Sequence, residues 1–117
     1  MRTVPTSQPQ MSAVFVVRVC NRSRYSSRVV LAYRSAAGIP RVLGDASQLM
    51  IGDSTEFYLP RGATRLQLTN FAIFGRKEVQ FLHDVKHWGE ARLEVELTGT
   101  AIDPRIRVRK GESESSN

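Results

Sequence analysis

Hydrophobic and polar residues alternate along most of the chain with a period of two, which is typical of β-strands with one buried face. The alternation is clearest in RLQLTNF (65–71) and ARLEVEL (91–97). In the latter, Leu93, Val95 and Leu97 share the face expected in the core, while Arg92, Glu94 and Glu96 share the face expected in water. The same reasoning predicts further strands at 13–20, 28–34, 48–51, 55–59 and 105–110.

These strands are short, and turn signals separate them about every ten residues. The spacing predicts an all-β fold, a single antiparallel β-sandwich or small barrel of six to eight short strands. We expect residues 12–110 to form this one domain. The polar segment 1–11, which has two prolines, is predicted to be a disordered leader, and 111–117 a disordered tail.

One segment, 76–89, is compatible with two structures. Phe81, Leu82, Val85 and Trp88 follow helical spacing, which predicts one short helix near 77–88. As a strand over 78–83, the same residues alternate between two faces. The all-β setting favours the strand followed by a loop.

Charge is distributed unevenly along the chain. The 117 residues carry 17 Lys and Arg against 11 Asp and Glu, a formal net charge of +6. Six arginines and no acidic residue lie between 12 and 44. No apolar run is long enough for a membrane-spanning helix, and the single cysteine excludes an internal disulfide. The free thiol and the lack of a signal sequence favour the cytoplasm.

The arginines are the main functional candidates. Arg22, Arg24 and Arg28, with Tyr25, lie in or beside a serine- and tyrosine-rich loop that is expected to bind phosphate or carboxylate groups. A second basic strip, Arg105, Arg107 and Arg109, is expected to share one strand face. If 92–97 and 105–109 form a hairpin, this strip would instead pair with Glu94 and Glu96.

Enzymatic chemistry has little support in the sequence. His83 and His87 have the i, i+4 spacing that can hold a metal ion on a helix, but no third ligand is evident. Cys20 lacks any surrounding catalytic signature and is expected to be a buried structural thiol. We therefore expect a protein that is not an enzyme and has no cofactor.

The first functional hypothesis is a non-enzymatic binding module that uses its Arg-rich loop face. Its anionic partner would be nucleic acid, acidic lipid, a glycan or an acidic protein. A lipid surface would require Trp88, Phe57, Tyr58 or Phe74 beside the basic loop. The alternative is a self-assembling homo-oligomer in which the two apolar faces of strand 13–20 are buried between copies. A metal-dependent enzyme using His83 and His87 is the third hypothesis.

The segment CNRS (20–23), followed by RVVL (28–31), resembles the opening hairpin of the β-domain of the von Hippel–Lindau tumour suppressor. That domain is a β-sandwich protein-interaction module, so the resemblance implies a sandwich and a non-enzymatic role. It covers about a dozen residues. The family's peptide-binding cluster of Ser, His and Trp has no match here, so no site residue is carried over.

Overall fold

A computed structural model describes residues 13–85 and 91–114 of the chain. Eight β-strands account for most of these residues. They are β1 (Ala13–Asn21), β2 (Ser27–Arg34), β3 (Pro40–Leu49), β4 (Ser54–Pro60), β5 (Arg65–Ala72), β6 (Glu78–Asp84), β7 (Ala91–Gly99) and β8 (Pro104–Glu114).

The strands form two four-stranded sheets that pack face to face as a β-sandwich. Sheet A has the order β4-β1-β7-β8, and sheet B has the order β3-β2-β5-β6. The predicted all-β sandwich is confirmed. Its strand pairs are antiparallel except for β1 and β7, which run parallel with Phe15 opposite Ala91 and Asn21 opposite Leu97. A parallel pair needs a crossover connection between its strands, and here sheet B provides it.

The core lies between the sheets and is built from one face of each strand. The alternation predicted the inward residues of β7 correctly, and β1, β2 and β5 likewise direct one set of alternating residues into the core. Their side chains are almost completely buried, with Phe15, Val17, Val19, Val29, Leu31, Leu66, Leu68, Leu93, Val95 and Leu97 each at most 2% exposed. Removal of this apolar surface from water is the main stabilising contribution to the sandwich.

The ambiguous segment 76–89 contains strand β6 and, as far as residue 85, no helix. Phe81 pairs with Leu68 of β5 and packs against the core, whereas the next residue, Leu82, is 57% exposed. The prediction of a short helix near 77–88 is therefore wrong for residues 77–85. Pairing with β5 makes successive side chains alternate between the two faces of the sheet. Residues 86–88 lie outside the described residues.

Strands β3 and β8 differ from their predicted boundaries. Only 48–51 was expected as a strand in this region, but β3 begins at Pro40 and shifts register twice against β2. Such bulges interrupt the alternation of side chains between faces, which hides the strand from a period-two pattern. β8 continues to Glu114, four residues beyond the predicted end of the domain at 110. The predicted leader, 1–11, lies outside the described residues.

The connection from β1 to β2 carries the chain from sheet A to sheet B and is held by a buried polar network. Asn21 is fully buried, and its side-chain amide donates to the carbonyl oxygens of Tyr25 (2.9 Å) and Leu49 (2.8 Å). Its side-chain oxygen accepts from the backbone N–H of Ser23 at 3.0 Å. The Tyr25 hydroxyl donates to the Thr98 carbonyl at 3.0 Å and accepts from the Asn70 amide at 2.6 Å. The network therefore joins β1, β3, β5 and β7.

We predict that Asn21→Ala lowers the free energy of unfolding by about 2–3 kcal/mol, because the Tyr25 and Leu49 carbonyls and the Ser23 N–H each lose a hydrogen bond in a buried site. Urea unfolding followed by circular dichroism measures this change. Arg24→Ala, an exposed change in the same loop, is the control and should stay within about 0.5 kcal/mol of the native protein. A loss below about 1 kcal/mol for Asn21→Ala would show that the network does not stabilise the crossover.

Candidate functional site

Four loops meet at one end of the sandwich, hereafter the loop end. They are the β1–β2 loop (22–26), the β3–β4 loop (50–53), the β5–β6 loop (73–77) and the β7–β8 loop (100–103). Backbone hydrogen bonds connect them, from Gly52 to Asn21 (2.8 Å), from Ile73 to Ser26 (2.8 Å) and from Arg24 to Gly99 (3.1 Å). A Cβ atom at Gly75 would lie 2.6 Å from the Ala101 carbonyl oxygen, so the last two loops are in close contact. The loop end is a contiguous surface.

Large apolar side chains project from three of these loops. Phe74 is 101% exposed, Ile102 is 79% exposed, and Met50 and Ile51 are 51% and 59% exposed. Phe74 also has a φ of 70°, a conformation that is an outlier for a bulky residue. Sequence reasoning missed Met50, Ile51 and Ile102. For Ile102 the available signal was an apolar residue inside a turn, whereas Met50 and Ile51 fell within the predicted strand 48–51, which in the structure ends at Leu49.

The same four loops also carry basic residues. The four loops contain Arg22, Arg24, Arg76 and Lys77 against only Asp53 and Asp103, a local net charge of +2. Arg22, Arg24, Arg76 and Lys77 are all exposed. Arg22 and Arg24 of the predicted basic loop thus lie at the loop end, the end that also carries Phe74 and Ile102.

Two other residues of the predicted loop site are placed elsewhere. Tyr25 is only 4% exposed and belongs to the buried network, so its ring is not available to stack on a partner. Arg28 lies on the outer face of sheet B, where it makes an ion pair with Asp45 at 2.7 Å and sits 5.6 Å from the Phe71 ring centroid. The Arg28 guanidinium holds the pKa of Asp45 below its usual range.

The second predicted strip, on β8, meets the basic loop at a buried carboxylate. The hairpin of β7 and β8 places Glu96 opposite Arg107, which donates a hydrogen bond to it. Arg22 from the β1–β2 loop lies 3.9 Å from the Glu96 carboxylate, and Arg109 lies 4.0 Å from it. We call Arg22, Arg107, Arg109 and Glu96 the Glu96 cluster.

Burial distinguishes the members of the Glu96 cluster. The Glu96 side chain is 7% exposed, while those of Arg22, Arg107 and Arg109 are 60%, 69% and 53% exposed. Glu96 was expected in water with Glu94, and this was wrong because the arginine side chains cover its carboxylate. The hydrogen bond from Arg107, together with the charges of all three arginines, lowers the pKa of Glu96 and keeps it ionised. Arg105 instead pairs with Asp103 at 2.7 Å.

Of the three candidates for enzymatic chemistry, the structure describes His83 and Cys20. His83 is half-buried on β6, with its ring 6.1 Å from the Phe81 ring and 6.4 Å from the Phe15 ring. His87 lies outside the described residues. Cys20 is a buried free thiol. Within residues 13–85 and 91–114, no three His, Cys, Asp or Glu side chains are grouped closely enough to bind a metal ion.

The aromatic residues expected to contact a lipid surface do not all lie at the loop end. Phe74 lies at the loop end, but Phe57 is 8% exposed in the core and Trp88 lies outside the described residues. Tyr58 is 53% exposed on β4, where its hydroxyl bonds to Glu56 at 2.7 Å. Among the residues described, no helix has the length and apolar character required to cross a membrane.

Solved structures of bacterial toxins contain the same fold. No protein-family model and no curated protein matches the chain. A Gram-negative toxin matches 84% of this chain at 12% identity with a TM-score of 0.57, over 23% of its own length. A non-hemolytic pneumolysin from Streptococcus pneumoniae matches 87% at 11% identity with a TM-score of 0.57, over 24% of its length.

A structure of the membrane-binding domain of pneumolysin gives a more complete match. It covers 81% of this chain and 95% of that domain, at 8% identity with a TM-score of 0.53. The chain thus spans about a quarter of the whole toxins and nearly all of this one domain. At these identities the likeness establishes the fold alone.

We predict that Glu96→Gln lowers the free energy of unfolding at about pH 7 by about 1–2 kcal/mol, because the charge-assisted hydrogen bond from Arg107 is weakened. The folded-state pKa lies below the ordinary value of 4.5. The stabilisation by ionised Glu96 is therefore fully present above the unfolded-state pKa, and it is lost as pH falls through the folded-state pKa. Urea unfolding of both proteins across this acidic range measures the difference.

The matched control is Asp45→Asn, which removes the acid of the exposed Arg28–Asp45 pair and should change stability little. If the difference in free energy of unfolding between the native protein and Glu96→Gln did not become smaller as the pH falls, Glu96 would not be the ionised centre of the cluster.

Proposed function

We propose that this protein is a non-enzymatic β-sandwich binding module whose loop end docks onto an anionic membrane surface. The observation that carries the proposal is the concentration of exposed apolar side chains and of excess positive charge on the same four loops. Phe74 and Ile102 project from the end where Arg24 and Arg76 are exposed.

The two kinds of side chain suit the two layers of a lipid surface. Transfer of an exposed Phe, Ile or Met side chain from water to an apolar medium is favourable by about 1.5–3 kcal/mol when burial is complete. Each Lys or Arg near an anionic surface adds about 1 kcal/mol. A nucleic acid or an acidic protein would use the arginines and leave the apolar loop tips in water, so a lipid surface accounts for more of the loop end.

The backbone at Phe74 gives a second argument. A positive φ costs a bulky residue about 1–2 kcal/mol, and at 101% exposure the ring gains no packing energy in return. Strained residues of this kind are concentrated at functional sites. A role for Phe74 in contact with a partner explains why the loop presents it.

Fold likeness supports the same conclusion. The chain shares its architecture with the membrane-binding domain of pneumolysin over 95% of that domain.

The homo-oligomer hypothesis depended on two apolar faces of β1. On the outer face of this strand, Val16 is half-buried and Cys20 is buried, and β1 is a central strand of sheet A. This face therefore gives little support to self-assembly.

We predict that Phe74→Asn with Ile102→Asn weakens binding to anionic vesicles by about tenfold or more, since about 1 kcal/mol or more per inserted side chain is lost. Asn tolerates the left-handed conformation at position 74, so the loop should keep its backbone. Co-sedimentation with phosphatidylcholine vesicles containing phosphatidylserine measures the change. Val42→Thr with Leu82→Thr, two exposed apolar residues on the outer face of sheet B, is the matched control. Equal binding by both double variants would refute insertion by the loop end.

The charge contribution has its own test. Arg24→Gln with Arg76→Gln should weaken binding to the same vesicles by roughly thirtyfold, from about 1 kcal/mol per residue. Arg41→Gln with Arg61→Gln, exposed arginines near the opposite end of the sandwich, is the control of equal charge and should have a smaller effect. The difference should shrink as salt is added. An identical loss for both pairs would indicate that only net charge matters and that the loop end is not the contact surface.

A further inference from the structure

The Glu96 cluster has more positive charge than its single acid can neutralise. Three guanidinium groups surround one carboxylate, which leaves a net charge of +2. The three arginine side chains are more than half exposed, so this excess charge faces solvent on the outer face of sheet A.

Hydrogen-bonding capacity is also left over. An arginine has five N–H donors in a planar fork. Within the described residues, Arg107 uses its Nη2 group on Glu96, whereas Arg22 and Arg109 approach Glu96 only at 3.9 and 4.0 Å, beyond hydrogen-bond distance. Most donors of the cluster thus remain available to a second acceptor.

Glu96 gathers these donors before any ligand arrives. Its buried carboxylate draws together side chains from the β1–β2 loop and from β8, which reduces the conformational entropy that a ligand would have to remove. Arg22 reaches the cluster because the backbone continues beside β7 after the parallel pair ends, with its N–H donating to the Leu97 carbonyl at 2.9 Å. The carboxylate itself is shielded, so it repels an incoming anion less than an exposed acid would.

We infer that Arg22, Arg107 and Arg109 form a binding site for a phosphomonoester or inorganic phosphate dianion. Glu96 holds these three arginines in position. Such a group carries about −1.5 to −2 charge near pH 7 and has three strong acceptor oxygens, which match the charge and donors of the cluster. The inference rests on the proposed function only for the anionic character of the partner. The site itself lies on the outer face of sheet A, where Arg22 of the β1–β2 loop meets Glu96 of β7 and the two arginines of β8.

The test is a titration of the full chain with inorganic phosphate at constant ionic strength, with chloride as the reference anion. The Nε–Hε signals of the arginines report binding by nuclear magnetic resonance. Signals of Arg22, Arg107 and Arg109 should shift and saturate with phosphate and not with chloride. Arg41 and Arg61, exposed and distant from the cluster, should respond alike to both anions. Shifts that do not saturate, or that chloride reproduces, would overturn the site.

The decisive variant is Arg22→Gln with Arg109→Gln, because it leaves the Arg107–Glu96 hydrogen bond in place and so preserves the fold. Phosphate affinity should fall by about tenfold or more. Arg41→Gln with Arg61→Gln removes the same charge elsewhere and should leave affinity nearly unchanged. An equal loss of phosphate affinity in both double variants would show that only net charge matters and would contradict a specific binding site.

Vesicles distinguish a lipid phosphomonoester from free phosphate. If the group belongs to a lipid, Arg22→Gln with Arg109→Gln should weaken binding to phosphatidic acid vesicles more than to phosphatidylserine vesicles of equal charge. If the ligand is soluble, the two losses should be equal while the phosphate titration still saturates. The two proposals fail separately, because Phe74→Asn with Ile102→Asn should impair vesicle binding and leave the phosphate titration unchanged.

Discussion

The buried hydrogen bonds of Asn21 and Tyr25 are the constraint on which the rest of the molecule depends. The chain must leave sheet A and enter sheet B between Asn21 and Ser27. In this buried crossover the backbone N–H and C=O groups have no neighbouring strand to pair with, so other groups must satisfy their hydrogen bonds. Asn21 satisfies two carbonyls and one N–H, and Tyr25 reaches Thr98 and Asn70. Both sheets are thereby fixed to the same short loop.

This constraint also sets the position of the candidate site. Arg22 and Arg24 alternate with the buried residues Asn21, Ser23 and Tyr25, so the network holds the intervening arginines at the surface. The same loop bonds to the β3–β4 and β5–β6 loops, which carry Met50, Ile51 and Phe74. Polar groups at the centre of the crossover thus organise the apolar and basic groups at its surface.

Sequence patterns were sufficient to predict a strand and its inward face where one face of the strand is buried and the other faces solvent. β5 and β7 alternate because each contributes a single face to the core, and the inward Leu93, Val95 and Leu97 of β7 were predicted residue by residue, whereas the burial of Glu96 on its outer face was not. β3 was found only at its end, since its two register shifts break the period that identifies a strand. Segment 76–85 supported both helix and strand, and only pairing with β5 decided between them.

For the site, sequence identified the arginines but not their arrangement. The two basic strips, the loop at 21–28 and the strand at 105–110, were separate candidates. The possible pairing of the β8 arginines with Glu96 was recognised, and the structure contains it for Arg107. That Arg22 joins them depends on the parallel pairing of β1 with β7, which no local pattern encodes. The exposed loop residues Ile102 and Met50 were likewise unrecognised, because a single apolar residue in a turn has no periodicity and Met50 continues the apolar run at the end of β3.

By itself, then, the sequence determined the class of fold, the inward face of the regular strands and the excess of arginine, because these follow from alternation and composition within a few residues. Tertiary structure alone decided which strands are neighbours, which arginines converge and which acid is buried. These depend on contacts between residues far apart in the chain, such as Arg22 and Glu96, whose energies exist only after the two sheets have packed.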